Sequence, residues 1–175
     1  MQAKIVKRET DPSSSGSLVV FKKILVALDG SESSSRASKV AVGLAEKVRA
    51  ELVVLHAITP PSSYYGSNYP TVSGMSPPPP SQREIDAYYA QARKAASAIV
   101  GETIAQAKKS GLKVQTELPE GVSSIVETII SHADSSNDDL IVVGTRGLGG
   151  FKKLLLGSVS SGVVSHANCP VLVVR

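Results

Sequence analysis

Short runs of consecutive apolar residues, each closed by a turn signal, are the feature that most limits how this chain can fold. Four such runs occupy residues 24–28, 52–58, 140–143 and 171–174, and a weaker alternating run occupies residues 112–118. These runs have the length of strands, and continuous apolarity is typical of strands that are covered on both faces of a parallel sheet. They are too short to span a membrane. The chain is therefore expected to contain five strands and no membrane segment.

The segments between the strands carry apolar residues at helical spacing. This spacing predicts helices near residues 37–48, 82–109, 125–133 and 158–167. Ser33 or Ser34 is expected to cap the first of them. Strands that alternate with helices specify an α/β domain whose parallel sheet has helices on both faces, and a length of 175 residues predicts one such domain.

Two segments fall outside this alternation. Residues 1–20 have the Ser- and Gly-containing composition of a linker, which predicts a mobile leader ahead of a domain at residues 21–175. Residues 59–82 contain seven prolines and three tyrosines, a density that excludes regular structure. They are predicted to form a surface insertion, and a polyproline ligand for a partner is the alternative.

The positive charge of the chain is concentrated near its start. The net charge is +4, but residues 1–23 hold five basic and two acidic side chains, which leaves the rest nearly neutral. Without a basic stripe on a folded face, and with only 4% aromatic residues, the sequence predicts no nucleic-acid partner. A single cysteine excludes an intramolecular disulfide, and the first residues lack an apolar secretory core, so the predicted location is the cytoplasm.

A glycine-rich segment follows the fourth predicted strand. Its glycines include Gly144, Gly147 and Gly157, and its cations are Arg146, Lys152 and Lys153. Glycines let backbone amides approach an anion, and the helix that begins near Ser158 adds amides and a favourable dipole. The segment therefore predicts phosphate binding, with ordinary turn glycines in a surface loop as the alternative. Neither the P-loop pattern nor the G-x-G-x-x-G dinucleotide pattern occurs here.

The spacing Gly144-x2-Gly147-x9-Gly157-Ser158 resembles the ATP-binding signature of the universal stress protein family, in its nucleotide-binding branch. Other landmarks follow in the same order. They are Asp29-Gly30-Ser31 after the first strand, Leu55-His56-Ala57 at the second, and Cys169-Pro170 before the last. The resemblance covers about residues 21–175, apart from the proline-rich insertion.

This resemblance implies a Rossmann-like, doubly wound sheet of strand order 3-2-1-4-5, with a nucleotide between strands one and four. The expected ligand is ATP, or else ADP or AMP, and Mg²⁺ would be held by the phosphates. Asp29 is implied to contact the ribose or the adenine, and an Asx turn before the first helix is the alternative for this residue. The implied nucleotide-binding residues are Ala27, Leu28, Asp29, Ala57, Val143, Gly144, Arg146, Gly147, Gly157, Ser158, Val159 and Ser160.

The family also implies a homodimer in which the last strands of two subunits pair antiparallel. The residues that would pair are Val171, Leu172, Val173 and Val174. This strand is apolar and carries no charge before Arg175, so an exposed edge there would invite pairing; an inner strand or a covered edge is the alternative. The predicted function is a nucleotide-binding stress-response module that is not an enzyme. A slow ATPase and a nucleotide-free interaction dimer are the alternatives.

The remaining residues with chemical potential favour structural roles. His56 is expected to be a core or polar-tip residue, His132 and His166 to be exposed or to cap helix ends, and Cys169 to be a buried small residue. The pair Asp138-Asp139 is expected to form a solvated turn before the fourth strand. No spacing of histidine, cysteine and acidic residues predicts a metal site.

Overall fold

Strands and helices alternate along the described part of the chain. A computed structural model describes residues 21–61, 79–145, 147 and 156–175. The strands are β1 (Lys23–Ala27), β2 (Glu51–Leu55), β3 (Val114–Glu117), β4 (Leu140–Gly144) and β5 (Val171–Val174). The helices are α1 (Glu32–Val48), α2 (Gln82–Lys109), α3 (Ile125–Ser136) and α4 (Ser158–His166). The predictions for the leader at 1–20, for most of the insertion at 59–82, and for Arg146, Lys152 and Lys153 lie outside these residues.

The five strands form one parallel sheet in the order β3-β2-β1-β4-β5. In this sheet Val26 of β1 lies opposite Val54 of β2 on one side and Val142 of β4 on the other. The predicted fold class and strand order are confirmed. Since all pairs are parallel, the carboxyl ends of all five strands lie along one edge of the sheet, and that edge is where ligands bind in open α/β folds.

Alternate strand residues supply two separate cores, one on each face. Ile24 and Val26 of β1 pack with α1 and α2, whereas Leu25 between them packs with α3 and α4. All three side chains are fully buried. Burial on both faces explains why the strands are continuously apolar in the sequence, and it confirms the prediction of helices on both sides.

The second strand is shorter than its apolar run predicts, because β2 ends at Leu55 and not at Ile58. The His56 amide still donates to Glu117 O at 2.9 Å, and the Ile58 amide donates to Pro119 O at 2.8 Å. In a regular parallel ladder, a further hydrogen bond between these two hydrogen bonds would be donated by the amide of residue 119. Residue 119 is a proline and has no N–H. Regular pairing therefore stops here, and a single bridge joins Ile58 to Glu120.

The helix starts differ in how they are capped. Ser31 caps α1 by accepting from the Ser34 amide at 3.1 Å, so the expectation that Ser33 or Ser34 is the cap is wrong. Ser81 and Ser124 cap α2 and α3 in the same way. In contrast, α4 begins after Gly157, which has no side chain to offer. Within the described ranges, none of the four helices is long and apolar enough to cross a membrane.

Candidate functional site

The fold brings the residues after β1 and β4 into contact. These strands are neighbours, and their onward connections leave the sheet in opposite directions, as at the crevice where ligands bind in such folds. A β-carbon placed on Gly147 would lie 2.6 Å from Asp29 Oδ2. That distance is too short for a real contact between a carbon and an oxygen atom. Only glycine therefore fits at residue 147 as long as the Asp29 side chain stays where it is.

The carboxylate of Asp29 has a different neighbour on each oxygen. Oδ1 accepts a hydrogen bond from the Ser31 amide at 2.9 Å, which is the Asx turn considered as an alternative for this residue. Oδ2 is the oxygen that faces Gly147. The side chain is half-buried. The turn therefore fixes the direction of a carboxylate whose second oxygen points across the β1–β4 crevice.

Gly144, the last residue of β4, is fixed by contacts from two helices. A β-carbon on it would lie 2.4 Å from Ser33 Oγ and 2.7 Å from the Ser33 carbonyl carbon, so the strand end lies directly against the first turn of α1. From the other side, Ser160 Oγ donates to Gly144 O at 2.6 Å. These contacts leave no space for a side chain at position 144.

The loop that follows β4 starts and ends at nearly the same point. The Thr145 amide donates to Val174 O at 2.9 Å, and the Gly157 amide donates back to Thr145 O at 2.7 Å. Thr145, just after β4, thus lies beside Gly157 at the start of α4. In that first turn Ser158 is exposed, Val159 is half-buried and Ser160 is buried.

The hydroxyl of Ser160 is therefore engaged within the protein. It donates to Gly144 O, so the backbone amide is the other hydrogen-bond donor of this residue. Ser158, by contrast, is exposed. No feature of the sequence distinguishes these two serines.

The other predicted residues lie on or just after β1, β2 and β4. Ala27 and Ala57 are half-buried and pack against the core beneath α3 and α4, and Val143 is only 3% exposed in that same core. Leu28 is buried, and its amide donates to Leu55 O at 2.9 Å. Arg146, the remaining predicted residue, lies outside the described part of the chain.

The amino edge of the sheet carries a charged cluster that the sequence reasoning missed. The Asp138 side chain is fully buried, with Lys23 Nζ at 3.7 Å and His132 Nε2 at 3.8 Å. Burial raises the pKa of the Asp138 carboxyl above its ordinary value, while Lys23 and His132 act against this rise. The expected solvated turn is thus wrong for Asp138. An acidic residue before a strand gives no sign in the sequence of which cations will cover it.

Asp139, next in the chain, holds the start of β1. Its Oδ2 accepts from the Lys22 amide at 2.8 Å and from the Lys23 amide at 3.0 Å. In return, the Asp139 amide donates to Lys23 O at 2.8 Å. The acidic pair at 138–139 therefore fastens β4 to β1 at the edge far from the crevice.

A cleft of about 570 Å³ also lies at the amino edge, away from the residues predicted to bind nucleotide. Its lining consists of Lys22, Glu46, Arg49, Ala50, Glu51, Ser110, Gly111, Leu112 and Lys113. Across residues 21–61, 79–145, 147 and 156–175, no group of three or more histidine, cysteine or acidic side chains is arranged to hold a metal ion.

Among the strands that the structure describes, the strand predicted to pair between subunits, β5, lies at an edge of the sheet next to β4. Its four residues are half-buried, as is Cys169 just before it. The His166 ring, at the end of α4, is exposed and bonds through Nδ1 to Gly162 O at 2.8 Å. The expectation of exposure at a helix end is confirmed for this histidine.

A comparison with known families decides the identity of the fold. The sequence model of the Universal stress protein family matches residues 21–175. The chain belongs to the universal stress protein family. Universal stress protein YxiE of Bacillus subtilis is 35% identical to it over 160 residues, which is 89% of this chain and 100% of that protein.

Solved structures agree with this assignment. Universal stress protein UspA from Lactobacillus plantarum superposes with a TM-score of 0.69 at 28% identity, covering 90% of this chain and 100% of that one. The universal stress protein from Archaeoglobus fulgidus in complex with dAMP has a TM-score of 0.57 at 18% identity, with 90% and 100% covered. At that identity the second likeness shows the fold alone.

Proposed function

We propose that this universal stress protein binds an adenine nucleotide in the crevice between the carboxyl ends of β1 and β4. The observation that carries the proposal is the contact between Asp29 and Gly147, which joins the two strand ends at the position where open α/β sheets take ligands. The complex of a universal stress protein from Archaeoglobus fulgidus with dAMP supports an adenine nucleotide as the ligand class.

The phosphates would lie at the start of α4. Gly157 leaves the amides of the first turn without a side-chain acceptor from the cap position, and these amides together with the helix dipole favour an anion. Arg146, Lys152 and Lys153 are the cations that the sequence supplies to the same loop. ATP is the proposed ligand, with Mg²⁺ carried by its phosphates, and ADP and AMP are the alternatives.

The nucleoside would lie beside Asp29. A carboxylate oxygen accepts a hydrogen bond equally well from a ribose hydroxyl or from the amino group of adenine. Ala27 and Ala57 are small residues on the same side of the crevice, where the requirement is for shape. In this arrangement the nucleoside end and the phosphate end of the ligand are held by different strands.

We also propose that the chain is a binding module and not an enzyme. Phosphoryl transfer requires a group that positions the attacking water as well as charges that stabilise the transferred phosphoryl. The sequence supplies the charges, but Ser158 and Ser160 at the start of α4 are not bases at neutral pH. A slow ATPase is the alternative, and it would be supported by ADP production over many turnovers.

The proposed location of the module is the cytoplasm. The proposed assembly is a homodimer, which the edge position of β5 supports. A strand edge with four apolar residues is a template for pairing unless charges or prolines block it. A dimer mass by light scattering supports the pairing, and a monomer mass at working concentration contradicts it. A nucleotide-free dimer is the alternative function.

The decisive experiment replaces Gly157 and measures ATP binding by isothermal titration calorimetry. The backbone there has φ −72° and ψ 166°, which any residue adopts, so Gly157→Asp and Gly157→Ser are both expected to fold and to cap α4. Only the aspartate adds a negative charge beside the phosphates. We expect it to weaken ATP binding by about a hundredfold, and the serine to weaken it far less.

Two results would overturn the proposed function. One is a wild-type protein that fails to bind ATP at millimolar concentrations. The other is a Gly157→Asp variant that is folded and binds ATP as tightly as the wild type does. Thermal unfolding of each variant, measured in the absence of nucleotide, separates a lost site from a lost fold.

A further inference from the structure

The imidazole of His56 is fixed across the ends of two strands. Its Nδ1 lies 2.8 Å from Leu28 O, and a carbonyl oxygen only accepts hydrogen bonds, so Nδ1 is the donor. The neutral ring therefore carries its proton on Nδ1. The His56 amide donates to Glu117 O at 2.9 Å, which holds the backbone from which the ring extends.

This bond takes over where the regular pairing of β1 and β2 stops. The last pair in that register is Ala27 with Leu55. Beyond it, the Leu28 amide donates to Leu55 O at 2.9 Å, and the Leu28 carbonyl is bound by His56. Both backbone polar groups of Leu28 are thus held by the end of β2.

Leu28 directly precedes Asp29, and the two share a peptide plane. Because the carbonyl of Leu28 and the amide nitrogen of Asp29 belong to one rigid unit, a bond to that carbonyl fixes the orientation of the peptide plane that leads into Asp29. The Asp29 carboxylate must hold Oδ1 on the Ser31 amide and Oδ2 towards Gly147 at the same time. A turn that rotated as a unit would move both oxygens.

We propose that His56 is a positioning residue for the nucleotide site. Acting through the Leu28 carbonyl, it holds Asp29 in the orientation that meets the nucleoside, and it makes no contact with the phosphates. The inference rests on the proposed function, since it assigns His56 a task in that same site. It also gives a reason for a polar ring directly after the four buried residues of β2.

The test compares two substitutions of His56 in the full chain. His56→Asn keeps an N–H donor close to the place of Nδ1, whereas His56→Leu removes it. His166→Leu is the matched control, because it removes a bond of the same type and the same 2.8 Å length from the exposed end of α4. ATP affinity is measured by calorimetry at a temperature where thermal unfolding shows all variants to be folded.

We expect His56→Leu to weaken ATP binding about tenfold, as loss of one hydrogen bond predicts. The asparagine variant should stay within about threefold of wild type, and His166→Leu should be unchanged. A purely structural role would lower the unfolding temperature of His56→Leu but leave its ATP affinity intact, so equal affinities of wild type and His56→Leu would overturn the inference. Equal losses in the asparagine and leucine variants would overturn it as well.

A second measurement needs no nucleotide. The ¹⁵N chemical shifts of the His56 ring at pH 8 report which nitrogen carries the proton, and we expect Nδ1. A proton on Nε2 would overturn the role of His56 whatever the ligand. If the wild-type protein does not bind ATP, the proposed function and this inference are both overturned. If the wild-type protein binds ATP and His56→Leu binds it equally tightly, only the inference is overturned.

Discussion

The two edges of the sheet use acidic residues in opposite ways. At the amino edge, Asp139 accepts hydrogen bonds from two backbone amides at the start of β1, those of Lys22 and Lys23, and Asp138 is buried beside Lys23 and His132. At the carboxyl edge, Asp29 is half-buried and faces a glycine. The contacts of the first edge all lie within the protein, so they stabilise the fold. The second edge combines an oriented carboxylate with an uncapped helix start, which are groups that suit a ligand.

This difference between the two edges predicts which substitutions the fold tolerates. A buried carboxylate depends on its cations, because removing one leaves a desolvated charge without compensation. A half-buried carboxylate at a crevice still has solvent available, so its loss mainly affects what the crevice binds. Substitutions at the amino edge should therefore act on stability, and those at the carboxyl edge on ATP affinity unless they create a steric clash.

Lys23→Met is the substitution expected to have the largest effect on folding. It leaves Asp138 buried without the Lys23 ammonium, and we expect the free energy of unfolding to fall by about 3 kcal/mol. The neighbouring side chain of Lys22 is exposed, so Lys22→Met should change the free energy of unfolding by about 0.5 kcal/mol or less. Urea unfolding at pH 7 measures both. Equal effects of the two substitutions would contradict the importance of the buried cluster.

Gly144→Ala tests the steric exception at the carboxyl edge. Its new methyl group would lie against the Ser33 backbone, and we expect a loss of about 2 kcal/mol in unfolding free energy. Gly43→Ala, in the middle of α1, meets nothing within 4 Å and should raise stability by about 0.5–1 kcal/mol. Opposite signs for two identical chemical changes are the expected result. A stabilising effect at position 144 would mean that α1 does not lie against β4 as described.

The two serines at the start of α4 should separate stability from binding. Ser160→Ala removes the bond to Gly144 O, so we expect a loss of about 1 kcal/mol in unfolding free energy and a change in ATP affinity below about twofold. Ser158→Ala, at an exposed position, should have the opposite profile, with ATP binding weakened about threefold to fivefold. Thermal unfolding and calorimetry on both variants test this. A larger affinity loss at Ser160 would assign its hydroxyl to the ligand.

The smallest expected effect is a pH dependence that comes from Asp138. Burial raises the pKa of this carboxyl above its ordinary value of 3.8, and Lys23 and His132 limit that rise. The folded state thus holds the proton more tightly than the unfolded chain does. The stability that Asp138 contributes is fully present below about pH 4 and is lost as the pH rises through the folded pKa.

Asp138→Asn removes this dependence, so the wild type should lose stability relative to the variant as the pH rises from 4 to 7. Urea unfolding of both proteins across that range measures the difference, and Asp139, His132 and Lys23 remain the same in both. A difference that grows in favour of the wild type with rising pH would mean that the two cations outweigh burial. The amino edge would then be a simple ion-pair site.

Much of the fold could be predicted from the sequence, because burial on both faces leaves a direct trace in it. The runs at 140–143 and 171–174 match β4 and β5 closely. The run at 52–58 predicted too long a strand. Its apolar residues continue past Leu55, but the missing N–H of Pro119 interrupts the pairing of β2 with β3. The cap of α1 was misplaced because several serines compete there, and only the backbone dihedrals select Ser31.

The candidate site was predictable in its location but not in its contacts. Glycine spacing and Asp29 indicated the carboxyl edge, since parallel strands must end there together. The contact of Asp29 Oδ2 with Gly147, the engagement of Ser160 with Gly144, and the bond from His56 to Leu28 all join residues that are far apart in the sequence. Patterns along a chain carry no information about such pairs.

The alternation of strands and helices can be derived from the sequence alone, because hydrophobic periodicity reflects which faces are buried. The contacts between distant residues come from tertiary packing. It put Asp29 against Gly147, and it enclosed Asp138 between Lys23 and His132, three residues that the sequence separates by as many as 115 positions. Contacts of this kind depend on the packing of neighbouring strands and helices, and the energy of a charge depends on what surrounds it and not on its place in the chain.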